Sequence, residues 1–197
     1  LSYLSYMASA IWYARRSPTP DVVVATSPQF FAAVAGWWIA RQKGVPFVLE
    51  IRDLWPESIV AVGAMERNII IRFFEQIEQF LYREADRIVP VTDAFKRMIV
   101  DKGIPTDKVS VIKNGVDLTR WEQPLDEEKL ARLQEKHEIE NKFVASYIGT
   151  IGMAHRADVL LEAAEQCDDP DVVFMVVGTG AQREALEARQ NELQLSN

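Results

Sequence analysis

Residues 21–51 read DVVVATSPQFFAAVAGWWIARQKGVPFVLEI. A short β-branched run (DVVVA, 21–25) leads into a helix-like stretch at about 29–43 and then a second apolar run (PFVLEI, 46–51). Runs this short and continuously apolar read as strands of a parallel sheet covered on both faces, with the helical segment crossing between them. The alternation continues down the chain. Further apolar runs stand at 87–91 (RIVPV), 109–112 (VSVI), 143–148 (FVASYI) and 172–177 (VVFMVV), with weaker helical patterns at 93–102, 156–165 and 181–193. Ile70, Phe73, Phe74, Ile77, Phe80 and Leu81 form a stripe opposite Arg72, Glu75, Gln76 and Gln79, which predicts a core-facing helix. Strand then helix, repeated, predicts an α/β doubly wound architecture.

One stretch breaks the pattern. Residues 121–141 (WEQPLDEEKLARLQEKHEIEN) carry alternating charges and no strand signal. Asp126 is placed to cap a helix beginning at Glu127, with Leu130 and Leu133 as its apolar contacts. We read 121–141 as a solvated linker between a first domain over 1–120 and a second over 142–197. At the start, LSYLSYMASAIWYA (1–14) puts Leu1, Leu4, Ala8, Ile11 and Trp12 at helical spacing. That predicts a core-facing amphipathic helix, with contact to a membrane surface as the alternative. Arg15 and Arg16 stop the run short of the ~18 apolar residues of a span, and it has neither the basic start nor the cleavage site of a signal peptide.

Composition narrows the class. Of 197 residues, 48% are hydrophobic and 26% charged, which is globular. Twenty-two Lys+Arg against 29 Asp+Glu leave a net charge of −7, which disfavours a nucleic-acid partner. Cys167 is the only cysteine, so there is no intrachain disulfide and no cysteine-based zinc site, and a reducing compartment fits best.

In open parallel sheets, ligands bind beyond the carboxyl ends of the strands. Two segments there, GTIGMAHR (149–156) and GTG (178–180), have the glycines that let a backbone approach an anion, and Arg156 can add a charge-assisted contact. A plain turn requirement is the alternative for both. The strand-anchored G-x-G-x-x-G of dehydrogenases is absent. After the second predicted strand, RDLWPES (52–58) sets Arg52, Asp53 and Glu57 beside Trp55; an N-cap with a packing indole is the alternative. His137 reads as a surface residue, and His155 as either a phosphate donor or an ordinary loop residue. No Ser-His-Asp order or metal-ligand cluster emerges, so hydrolase and metalloenzyme readings lack support.

Residues 21–58 (ending RDLWPES), 77–99 (IEQFLYREADRIVPVTDAFKRMI) and 108–121 (KVSVIKNGVDLTRW) together resemble the middle of a family 4 glycosyltransferase. The bacterial branch that builds surface polysaccharides, including aminosugar transferases of O-antigen and capsule assembly, is the nearest in pattern. YIGTIGMAHRADVLLEAAEQC (147–167) and VVFMVVGTGAQREAL (172–186) resemble the opening of that family's second domain. The resemblance implies a GT-B fold, two Rossmann-like parallel-sheet domains facing across a cleft. It implies retaining, metal-independent transfer, without a cofactor, from a nucleotide-diphosphate sugar to a glycan or polyprenyl-linked acceptor. The expected setting is cytoplasmic, with peripheral contact at the inner face of the bacterial plasma membrane.

Carried over by position, Gly149, Thr150 and Gly152, with His155 and Arg156, face the donor diphosphate, and Gly178 and Gly180 lie near the nucleotide. Arg52 falls where many relatives place a histidine beside the transferred sugar, and Asp53 follows it; these two and Glu57 are the candidate catalytic residues. An arginine cannot serve as the proton-transfer base, so the role expected of Arg52 is electrostatic. Thr150 replaces the first member of a basic pair common in relatives, and Arg156 stands in for the second. The family's upstream glycine-rich strand and downstream paired carboxylates fall outside 1–197. We therefore expect an internal fragment with both halves incomplete, inactive alone and prone to associate through open sheet edges. The alternatives are a non-catalytic sugar-nucleotide-binding module and a nucleotide-sugar 2-epimerase, for which His137 and His155 are the only histidine shuttles.

Overall fold

The computed structural model describes residues 2–195 except Val62, Ala64 and Gln123. The chain divides into two compact units, Leu1–Val116 and Asp117–Asn197.

In the first unit the elements run α1 (Ser2–Ala14), β1 (Val23–Ser27), α2 (Phe30–Lys43), β2 (Phe47–Ile51), α3 (Glu57–Ala61), α4 (Ile69–Glu84), β3 (Arg87–Pro90) and α5 (Asp93–Asp101). The strands pair in parallel in the order β1-β2-β3, with Val23 opposite Phe47 and Ile51 opposite Pro90. Phe47, Leu49 and Ile51 of β2 are buried, and they join Phe30 and Ala33 of α2, Leu81 and Tyr82 of α4, Ile88 of β3 and Ile99 of α5 in one core. The intervening Val48 and Glu50 are only half-buried, so burial is deeper on one face of the sheet than on the other, where equal cover was predicted. Side-chain caps fix the helix starts: Asn68 Oδ1 accepts from the N–H groups of Ile70 and Ile71, and Thr92 Oγ1 from that of Phe95.

Three predictions change in this unit. The predicted strand at 109–112 meets β3 through a single bridge, Ile88 to Val109, although Ser110 and Ile112 donate to the carbonyls of Ile88 and Pro90. Pro90 has no N–H to return, so the ladder cannot be completed. The buried face of α4 is Ile71, Glu78, Leu81 and Tyr82, with Phe74 and Ile77 packed at its flank. Ile70 and Phe73 are 55% and 58% exposed, and Phe80 is exposed too, so the predicted stripe is rotated. The buried face takes in Glu78, whose pairing with Lys102 and Tyr82 lets a carboxylate sit there, and hydrophobicity alone could not place it. On α1, Met7, Ala10, Ile11 and Ala14 are the half-buried residues of a helix that packs on α2. Of the predicted face, Leu1 lies outside the described residues, while Leu4, Ala8 and Trp12 are exposed.

The second unit comprises α6 (Glu127–Lys136), β4 (Phe143–Ile148), α7 (Asp158–Glu165), β5 (Val172–Val177) and α8 (Arg183–Leu193). Asp126 caps α6 as predicted, accepting from the Lys129 N–H at 3.0 Å. β4 and β5 pair in parallel along their whole length, Phe143 opposite Val172. Neither strand has a buried residue, contrary to the expectation of cover on both faces. In a two-stranded sheet each strand is an edge, and Phe143 and Ile148 stand mostly exposed.

Candidate functional site

The carboxyl ends of β1, β2 and β3 form an even rim, because the Arg52 N–H donates to Ser27 O at 3.0 Å and the Val91 N–H to Ile51 O at 3.1 Å. The turn after β2 therefore starts at a fixed height. Arg52 is exposed and Asp53 half-buried, and neither forms an ion pair or side-chain hydrogen bond among the described residues. Trp55 packs its ring 4.9 Å from that of Phe30 and 4.8 Å from that of Phe74, which bears out the packing role for the indole. Glu57 is engaged elsewhere. Its Oε1 lies 3.2 Å from Lys102 Nζ, and Lys102 also reaches Glu78 Oε2 at 2.8 Å. Glu78 is buried at 5% exposure, and its Oε1 accepts from the Tyr82 hydroxyl at 2.6 Å. Burial pushes the Glu78 carboxyl above its ordinary value, opposed by the hydrogen bonds from Lys102 and Tyr82. Sequence reasoning missed this cluster. Its one signal is that Glu78 and Tyr82 stand four apart on the helical face that holds Ile71 and Leu81.

In the second unit the turns after β4 and β5 are knitted together. The Gly149 N–H donates to Val177 O, the Ile151 N–H to Thr179 O and the Gln182 N–H to Ile151 O, at 2.9–3.0 Å. Gly178 sits so close that a Cβ there would lie 1.8 Å from Gly149 O, and one on Gly180 would lie 2.2 Å from Ile151 O. Contact between two loops thus accounts for these glycines without a ligand. Gly149 and Gly152 differ, since a Cβ on either would meet first a side chain, Tyr147 or His155, at 3.2 Å.

The N–H groups of Gly149, Ile151, Gly152 and His155 all donate to backbone carbonyls, so they are not aimed outward as the spacing suggested. Thr150 gives its carbonyl to the Tyr147 hydroxyl at 2.7 Å, and the His155 ring lies 6.4 Å from that of Tyr147. Arg156 holds a left-handed backbone (φ 46°, ψ 44°), rare for a non-glycine residue. Its Nε donates to both oxygens of Asp158, at 2.9 and 3.0 Å, and this bond holds the Asp158 carboxyl below its ordinary value. The two terminal guanidinium nitrogens have no partner among the described residues. An arginine tethered by Nε with its fork open to solvent can receive an anion.

A cavity of about 560 Å³ lies between β5, α7 and α8. Leu160, Leu161, Val173 and Leu186 line it, and it reaches the candidate loops at Ile151 and Gly178, whereas Thr150, Gly152, His155 and Arg156 are not part of its wall. Among the described residues no group of three or more His, Cys, Asp or Glu is placed to hold a metal, and no helix is long and apolar enough to cross a membrane.

Comparison with known proteins gives the context. Residues 1–115 match the glycosyl transferase 4-like domain family. Escherichia coli WcaI, named as a colanic acid biosynthesis glycosyl transferase, is 22% identical over all of this chain and 47% of its own length. Pseudomonas aeruginosa WbjE, named as a glycosyltransferase, is 22% identical over 70% of this chain and 34% of its own. Among solved structures, Anabaena Alr3699/HepE in complex with UDP is similar at a TM-score of 0.75, with 18% identity over 97% of this chain and 49% of that one. The chain thus spans about half the length, or less, of these relatives. The mixed α/β, parallel-sheet fold predicted from the sequence is the Rossmann-like fold of these GT-B neighbours.

Proposed function

The chain belongs to the glycosyl transferase 4-like family, and on that premise we propose that it works in retaining transfer of a sugar from a nucleotide-diphosphate sugar to a glycan or lipid-linked acceptor in surface-polysaccharide assembly. In this reading the first unit supplies Arg52 and Asp53, which stand on the strand rim with no partner to compete for them. The second unit supplies the diphosphate contact, from Arg156. No metal or cofactor takes part. The observation that carries the reading is Arg156, held left-handed and anchored by Asp158 with two donors left over for an anion. The names of WcaI and WbjE and the UDP held by HepE support the same class.

Arg52, fixed in charge, supplies electrostatic stabilisation to negative charge that grows during transfer. Asp53 is a hydrogen-bond acceptor for sugar hydroxyls, whose orientation sets the reactive geometry. Peripheral contact with the inner membrane face falls to α1, an uncharged helix with Tyr3, Tyr6, Trp12 and Tyr13 exposed and Arg15 and Arg16 following. Exposed Tyr and Trp rings followed by arginines suit contact at headgroup level.

The test has two arms. Calorimetry of UDP with the 197-residue chain reads donor contact, which Arg156→Ala weakens. A transfer assay uses the longest polypeptide carrying this sequence, with nucleotide sugars and a polyprenyl-linked acceptor. There Arg52→Ala and Asp53→Asn each lower turnover at least ~10-fold, about 1.4 kcal/mol of barrier, and EDTA leaves turnover unchanged. Wild-type turnover in both variants overturns the assignment. UDP binding with no transfer favours the binding-module alternative.

A further inference from the structure

α3 follows the Arg52–Asp53 turn directly and has only five residues, too few to hold its own place. Its backbone anchorage to the turn is local, the Ser58 N–H donating to Leu54 O at 2.8 Å. The buried Leu54 and Pro56 lead into it, and its charged tie to the body of the unit is Glu57, whose partner Lys102 stands just past the end of α5 and pairs at once with Glu78, buried on α4. Three elements separated in sequence therefore converge on one ammonium group. The residue is suited to this, since a lysine has three donors on one point charge. Glu78 is fixed from its other side by Tyr82. Glu57 Oε2 and Gln79 Oε1 are buried beside the cluster with no hydrogen-bond partner among the described residues. A buried ionic group is a poor source of net stability, and such groups are better attested as devices that fix one arrangement over others.

We propose that Lys102 is a positioning residue: it clamps Glu57 of α3 to Glu78 of α4 and so fixes α3 against the body of the unit, steadying the far side of the Arg52–Asp53 turn, whose near side the bond to Ser27 already holds. Glu57 then acts through the turn rather than on the sugar. The inference rests on the catalytic reading of Arg52 and Asp53, yet its central test needs no turnover.

Glu57→Gln is the cleanest variant, because it keeps the volume and leaves the Lys102–Glu78–Tyr82 bonds intact. Hydrogen exchange read by mass spectrometry on the 197-residue chain should rise at least ~10-fold across 52–61, with β2 and β3 unchanged. Lys102→Gln should loosen the same segment and Lys102→Arg should restore it, a rescue that loss of packing alone would not produce. Unchanged exchange at 52–61, or an equal rise through β2 and β3, overturns the proposal. In the transfer assay, Glu57→Gln should lower kcat with KM unchanged. If exchange responds as stated while Arg52→Ala transfers normally, the clamp stands and the catalytic reading fails; if exchange does not respond, the clamp fails whatever the turnover.

Discussion

Gly178→Ala separates two reasons for a glycine at a strand end, close packing and ligand contact. The added Cβ would lie 1.8 Å from Gly149 O, whereas Cβ contacts under 3.0 Å essentially never occur, so the two turns must part by at least about 1.2 Å (3.0 − 1.8). The Gly149 oxygen is backbone and the Cβ is fixed to its own backbone, so no rotamer relieves the conflict. Parting the turns strains the bonds from Ile151 N–H to Thr179 O and from Gln182 N–H to Ile151 O. Each such bond contributes about 1 kcal/mol net, and overpacking adds about 1–3 kcal/mol. We expect a loss of about 3–5 kcal/mol. For a unit of this size each kcal/mol moves the midpoint by roughly 4–8 °C. Urea unfolding, read by hydrogen exchange on peptides covering 143–148 and 172–177, isolates the second unit. Gly152→Ala is the control, because its Cβ meets His155 Nδ1 at 3.2 Å, a side chain able to swing away. It should change stability by less than ~0.5 kcal/mol. Stability of Gly178→Ala within that same margin of the parent would refute the packing argument.

Four further outcomes are expected. Because Glu78 titrates above its ordinary value of 4.5 in the fold, folded chain binds that proton more tightly than unfolded chain. Stability should then fall as pH rises from about 4.5 through the raised value and level off above it; Glu78→Gln, leaving Lys102 with Glu57, should flatten the slope in urea titrations across pH. Asp158→Ala frees the Arg156 guanidinium and should weaken UDP binding several-fold by calorimetry, with little change in melting temperature. Vesicles containing anionic lipid should co-sediment the chain where neutral vesicles do not, and Arg15→Glu with Arg16→Glu should abolish this. Asp126→Ala should cost about 1 kcal/mol, seen as faster exchange at the start of α6.

The sequence and the structure agree where signals are local. The β-branched runs mark β1, β2, β4 and β5 within a residue or two, and Asp126 marks the start of α6. They part where the deciding contact is distant. Nothing near Gly178 reveals that its neighbour is the carbonyl of Gly149, so the close packing there is not legible in the sequence. Nothing in the sequence marks Glu78 as buried, because its partner Lys102 is 24 positions away on another element. On α1, small Ala10 and Ala14 turn inward and the larger Leu4 and Trp12 outward, which size-blind periodicity cannot foresee. The rule that strand carboxyl ends carry function singles out Arg52 and Asp53, and the structure leaves both side chains without hydrogen-bond or ion-pair partners among the described residues.

Pro90 reaches further than its place in β3. The stretch beyond Val109 is fastened to the sheet by gifts in one direction, from its own amides to carbonyls that give nothing back. Such a seam unzips from the far end in small steps, stopping at Val109, which is anchored in the core. A change at 110–116 can therefore be absorbed by fraying, without a tremor in Leu49 or Ile51.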